Sequence, residues 1–221
     1  ESRDFGFKTR EELLAQELGG IGERAGASVV GRFENGTPVT ESEFEIKVTK
    51  EGDAGIFNNF DYSGDTQGLK CPFAGHIRKT NPRSDLPGSK ATLMARRGIT
   101  YGKREDGLND GRLDNKPSYG VGLLFMSYQS DLESQFEVTQ RFWANNPDFV
   151  RDDTGIDPII GNPQTVNPPP APPDIAAQRY PTIWDNMLSE PIHFSGYVKM
   201  LGGEYFFAPS ISFLRTMQPI P

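Results

Sequence analysis

One cysteine, Cys71, and two histidines, His76 and His193, are all the thiol and imidazole groups that 221 residues offer. A single thiol forms no intrachain disulfide, and a structural zinc site, which takes about four Cys or His ligands, is not expected. Positive charge is in deficit: 23 Lys and Arg face 30 Asp and Glu, for a net charge of −7. Nucleic-acid binding depends on clustered positive charge, so no nucleic-acid partner is expected. No apolar run approaches the ~20 residues of a membrane helix, which argues against a membrane partner. The charged start, ESRDFGFKTREELL, does not read as a signal peptide. The compartment stays open.

What is present suits a globular chain. Hydrophobic residues make up 35% and include 15 Phe, enough for one substantial core, while 24 Gly and 18 Pro imply many turns. Thr9 to Glu12 has the form of a capping box opening a helix over 10–18, which Gly19-Gly20 stops. Residues 28–32 read as a brief strand, 51–70 as loop, and 91–101 as a strand with β-branched content. The run GVGLLFMSY, 120–128, suits a strand buried on both faces. Ser130 to Glu133 repeats the capping box, and the helix it opens places Leu132, Phe136 and Trp143 on one face. Residues 103–118 read as an exposed loop, and the Pro-rich 162–181 as an extended surface segment. Two β-like runs follow, at 194–200 and 204–207. Helices and strands without regular alternation argue for an α+β fold with a largely antiparallel sheet.

The two histidines have different surroundings. His193, in EPIHFSGY, reads as a partly buried structural residue. His76 is followed by Arg78, Lys79 and Arg83. Cations crowded beside a ligand-type imidazole call for an anionic partner. A haem would supply one, with iron for the imidazole and propionates for the guanidinium groups. On composition alone, a histidine on a basic surface loop is the simpler account.

The wording of the segment changes that balance. CPFAGHIRKTNPR resembles the proximal-histidine segment of the dye-decolorising (DyP-type) haem peroxidases. MARRGITYG, GLLFMSYQSDLESQFEVTQRFWAN, GIDPIIG and GGEYFFAPS resemble later segments of that family in its order, and VVGRFENGTPV an earlier one. The resemblance runs from about Val29 to Pro209. It implies a ferredoxin-like antiparallel sheet with peripheral helices, the C-terminal half of a dimeric α+β barrel-like fold, with residues 1–221 as a single haem-ligating domain.

The resemblance also implies roles. His76 would be the proximal ligand of haem b (iron protoporphyrin IX), its other nitrogen donating to Asp157, or failing that to Glu137. Arg96 would be the distal arginine; a register slip of one residue would give that place to Arg97. Arg83, and after it Arg78, would hold the propionates. Leu123 and Phe125 would line the pocket, or serve as ordinary core. Tyr101 and Trp143 match surface redox relays, though a structural reading of each is as good. Cys71 is disfavoured as a thiolate ligand. The reaction implied is oxidation of bulky phenols or dyes by hydrogen peroxide.

One part of the family's pattern is missing. Its distal aspartate lies in a G-x-x-D-G motif upstream of the proximal histidine, and residues 1–75 hold no match. The expectation is therefore a second polypeptide carrying the other half of the fold and that aspartate. Two other readings compete: a haem-binding carrier or sensor without peroxidase activity, and a cofactor-free interaction module.

Overall fold

The computed structural model describes residues 10–20, 22–47, 57–102, 120–162, 177–196 and 198–217. The expected loop 103–118 and most of the Pro-rich segment 162–181 lie outside them, as does Thr9 of the first capping box.

The chain opens with an antiparallel helix pair, α1 (Arg10–Leu18) and α2 (Gly22–Val30). Leu14, Ala15 and Leu18 form the buried side of α1 and meet Ala25, Val29 and Tyr180 in one apolar cluster. Gly19, at φ +67°, ends α1, and Gly20 N–H closes onto Ala15 C=O at 2.9 Å. The brief strand expected at 28–32 is instead the end of α2, where small residues let the helix bury Ala25 through Val29. Tertiary packing here overrides the β-branched preference of Val29 and Val30. Arg24 then ties α2 to distant chain, donating to Glu43 at 2.7 Å and to the Thr182 carbonyl at 2.7 Å.

The opposite side of α2 contributes Ala27 to a second cluster with Phe33, Val39, Phe60, Tyr62 and Cys71. Ile77 packs on it from the short helix α3 (His76–Thr80). Close approach of α3 requires Gly31: at φ +97°, a Cβ there would lie 2.4 Å from Ile77 Cγ1. Two 3-10 turns, Arg83–Asp85 and Ser89–Thr92, lead into the strands.

Strands β1 (Ala95–Tyr101) and β2 (Gly122–Tyr128) form an antiparallel ribbon, pairing Arg96 with Ser127 and Gly98 with Phe125. The expectation of a strand buried on both faces is overturned: Leu123 is 59% exposed and Leu124 58%. No other described strand pairs with the ribbon. Next come π-helical turns, Glu133–Glu137 and Thr139–Ala144, with bonds running five residues back, as from Glu137 N–H to Leu132 C=O. Asp131, not Ser130, caps this segment by accepting from Ser134 N–H at 2.7 Å. The Gln135 side chain accepts from the amides of Ser130 and Asp131 and donates to Leu93 C=O, fastening the helical segment to the base of β1.

A small antiparallel pair, β3 (Pro181–Ile183) and β4 (Met187–Leu188), and a last helix, α4 (Ile211–Thr216), complete the described elements. The strands expected at 194–200 and 204–207 are not formed among the described residues. Their apolar side chains, such as Phe206 and Phe207 at 85% and 88% exposure, find no partner strand there. No described helix is long and apolar enough to cross a membrane.

Candidate functional site

α3 carries the first of the site's residues. Gly75 precedes it in extended geometry, and His76 stands at its first position. The second comes from a loop 81 residues away: His76 Nδ1 lies 2.8 Å from Asp157 Oδ2. Asp157 is wholly buried, and its other oxygen accepts from Ile159 N–H at 2.8 Å and Ile160 N–H at 2.9 Å. A carboxylate so held is an acceptor, so the proton of the pair sits on Nδ1. That leaves Nε2 with its lone pair, and it makes no hydrogen bond with a described residue. The imidazole is one-fifth exposed.

The loop delivering Asp157 is fixed at both ends. Thr154 and Gly155 N–H both bond to Pro147 C=O, and Asp157 N–H bonds to Ala144 C=O at 2.8 Å. Gly155 needs its φ of +81°, because a Cβ there would meet Ala177 O at 2.3 Å. Lys79, one turn beyond His76, is fully buried and donates to the carbonyls of Asn146 and Phe149. Phe149 in turn stacks on Trp143, with ring centres 5.1 Å apart and planes 6° from parallel. Burial drives the Lys79 ammonium down to about 7, against the opposing pull of Asp157 and Asp148.

All three cations after His76 have partners inside the chain, and two of them, Arg78 and Lys79, are fully buried. Arg78 is fully buried between the rings of Tyr62 and Phe73, at 4.4 and 4.1 Å. Its Nε and Nη2 donate to Asp85, its Nη1 to Asp65 and Cys71 C=O, and its Nη2 also to Asp65 C=O. All five guanidinium N–H groups are thereby engaged. The expected propionate role for Arg78 is therefore corrected: it has no donor left for an external anion. The crowding of cations is relieved by Asp65, Asp85 and backbone carbonyls, so it does not by itself call for a ligand.

Arg83 differs. It is partly exposed, and its Nη1 bonds the carbonyls of Asn58 and Phe60 while the guanidinium lies 4.0 Å over the Phe60 ring. Arg32 stands over the same ring at 5.1 Å, and burial together with the charge of Arg83 lowers its pKa. Two like charges sharing one aromatic ring make an anion-favouring spot. Arg32 went unnoticed in the sequence, where nothing marks its nearness to residue 83.

The ribbon register fixes which side chains share a face. Arg96, Leu123 and Phe125 lie on one face, since Arg96 pairs with Ser127 and Thr100 with Leu123; Arg97 and Tyr101 lie on the other. Phe125 extends inward to Phe136 at 6.2 Å, and Phe136 to Tyr205 at 6.2 Å, whose hydroxyl donates to Glu137 at 3.1 Å. Glu137, the alternative acceptor for His76, is thus bound to Tyr205. Tyr101 is 44% exposed, but Trp143 is only 6% exposed, which corrects its reading as a surface aromatic: Phe149 covers it. His193, expected partly buried, is exposed, with Nε2 3.2 Å from Ser195 Oγ. The Cys71 thiol is buried and pushed up to about 12, chiefly by desolvation, so it remains protonated and is no ligand.

Comparison with known proteins bears on this arrangement. A family model described as Dyp-type peroxidase, C-terminal, matches residues 28–153. The multifunctional dye peroxidase DyP2 of Amycolatopsis sp. is 43% identical over 96% of this chain and 46% of its own length. The dye-decolorizing peroxidase msp1 of Mycetinis scorodonius is 36% identical over 87% of this chain and 38% of its own. Among solved structures, the DyP-type peroxidase of Anabaena sp. superposes with a TM-score of 0.76 at 39% identity, over 96% of this chain and 42% of that one. The chain thus spans less than half the length of these relatives. The likeness places its fold in the ferredoxin-like α+β class of those structures; among the described residues the sheets are antiparallel and no barrel closes.

Proposed function

Because this chain belongs to the DyP-type peroxidase family, we propose that it forms the proximal wall of a haem peroxidase site, with His76 as the axial iron ligand. The observation that carries the reading is the His76–Asp157 pair: Nδ1 is committed to a buried carboxylate at 2.8 Å while Nε2 keeps its lone pair. This donor set fits haem, since ligating histidines commonly anchor their second nitrogen on a carboxylate, which orients the ring and raises its basicity. The cofactor is haem b in this proposal, and residues 1–221 act as one haem-ligating unit; the described end of the Pro-rich segment is not at the surface as expected, since Gln178 and Tyr180 are wholly buried.

Bound haem supplies an iron that reacts with hydrogen peroxide and then draws electrons from a bulky phenol or dye. The chain's own residues do the rest. His76 presents Nε2, and Asp157 retains the proton at Nδ1. Arg83, with Arg32 beside it, offers positive charge to a propionate. Arg96 projects from the ribbon face that also bears Leu123 and Phe125, two apolar side chains offered to the haem. Its guanidinium stabilises the negative charge that grows on oxygen as the peroxide bond breaks. Tyr101, on the opposite face, and Trp143, beneath Phe149, are the proposed electron relays.

No G-x-x-D-G occurs upstream of His76, and the proposal assigns the distal carboxylate to no residue of this chain. The relatives lend no support to the expected second polypeptide, since in each the matching stretch belongs to one longer chain. A non-peroxidatic carrier and a cofactor-free module are the readings that the test must defeat. The purified full-length protein should show a Soret band and oxidise a bulky dye only with peroxide; a colourless protein would remove the haem reading.

Two variants probe the assignments. Arg96→Leu should lower the peroxide-dependent rate by roughly 100- to 1000-fold, while Arg97→Leu, on the other face, should change it little. Equal losses would mean that the ribbon register is not the one described. Asp157→Asn should weaken haem retention or activity by roughly 10- to 100-fold, read by haem transfer to a competing apoprotein.

A further inference from the structure

His76 and Lys79 are three residues apart on α3 and share one side of it. The Lys79 side chain runs into the interior, and Nζ ends on two backbone carbonyls, those of Asn146 and Phe149, instead of on a carboxylate. A neutral side chain of similar length would fill this space at a smaller desolvation cost. What the ammonium adds is its charge and two hydrogen bonds. The charged groups whose fields reach it are Asp157 and Asp148. Arg78, the other buried cation among the described residues, is neutralised by Asp65 and Asp85. Lys79, held on carbonyls and paired with no carboxylate by a hydrogen bond, therefore adds a positive field at the carboxylate that holds His76.

Resting on the reading of His76 as the iron ligand, we propose that Lys79 is a positioning residue: its ammonium, anchored on Asn146 and Phe149, acts through Asp157 to set how strongly His76 donates to iron. A positive charge whose field reaches Asp157 weakens the pull of that carboxylate on the Nδ1 proton. The imidazole then has less imidazolate character, and the ferric form is less favoured. Burial brings the proton equilibrium of Lys79 to about 7. Below that pH the field is present; above it Lys79 is neutral, Asp157 pulls harder, and the ferric state is favoured.

The test is redox titration of the haem-loaded full-length protein at about pH 6 and about pH 8, in wild type, Lys79→Met and Lys79→Arg. In wild type, the ferric-to-ferrous ratio at fixed applied potential should rise with pH by on the order of tenfold more than in Lys79→Met. Lys79→Met should sit at the high-pH wild-type value throughout, and Lys79→Arg, charged at both pH values, at the low-pH value. A purely structural clamp predicts something else: both variants displaced alike, with altered Trp143 fluorescence through Phe149. That result, or superimposable wild-type and Lys79→Met profiles on a haem still ligated by His76, would overturn the inference alone. Wild-type protein that holds no haem through His76 would remove the functional reading, and the inference with it. In the haem-free protein, NMR of the Lys79 ε-carbon should show a midpoint near neutrality; an ordinary lysine midpoint would also overturn it.

Discussion

His76→Ala is expected to abolish the imidazole-ligated haem spectrum of the full-length protein and cut peroxide-dependent dye oxidation by at least about a thousandfold. Neither the second imidazole nor the thiol is placed to substitute. His193, the only other imidazole, is tied to Ser195 in the segment after the Pro-rich stretch. The Cys71 thiol is buried and pushed up to about 12, so it would not ligate as thiolate near neutral pH. The substitution also strands Asp157, whose Oδ2 loses its donor while Oδ1 keeps two amides. Added imidazole should enter the space left, donate to Asp157 and recover part of the spectrum. A Soret band and rate unchanged in His76→Ala would end the assignment.

The second large effect is on stability. Arg78→Ala should destabilise the fold by about 3–5 kcal/mol, because it leaves two buried carboxylates uncompensated. Asp65 and Asp85 are both nearly inaccessible to solvent, and the guanidinium also fills the gap between Tyr62 and Phe73. A loss of that size is a large fraction of the ~5–15 kcal/mol that holds a typical protein together. Lysine should not rescue it, since an ammonium has three donors where the site uses five. Arg78→Met combined with Asp65→Asn and Asp85→Asn should recover part of the loss, because no buried charge is then left unpaired. Urea denaturation measures each variant; an Arg78→Ala midpoint close to wild type would show the triad to be energetically idle.

The two predictions separate what a neighbouring pair of residues does. In sequence, Arg78 and Arg83 are both cations close behind a histidine, and the resemblance offers both as propionate partners, Arg83 first. In the fold Arg78 is the centre of a closed ion network, and Arg83 remains at the surface over Phe60. Nothing local distinguishes them. Asp65 lies 13 residues before Arg78 and Asp85 seven after it, in segments that read only as loop. Lys79 was legible as a charge and illegible as a buried one, since its carbonyl partners come from 67 and 70 residues away.

Secondary structure followed the same division. α1 and β1 were readable because a helix stop at Gly19-Gly20 and a β-branched run act within a few residues. The end of α2 was misread, since Val29 is held helical by contacts with α1 and Tyr180. Apolar content in β2 identified a strand but not its surroundings: hydrophobicity tells which side chains favour burial, not whether the described chain covers them. Trp143 erred in the opposite direction, buried because Phe149 folds back over it.

The order of motifs around CPFAGHIRKTNPR was enough to point to the family and to single out His76, since those features are local and additive along the chain. Three things waited for the folded molecule: the closure of Asp157 onto His76, the ribbon register that puts Arg96 with Leu123 and Phe125, and the fate of each cation. Each depends on which distant groups share a dehydrated space. Charge and hydrogen-bond strength there are set by the partners that exclude water, and a one-dimensional string does not contain that information.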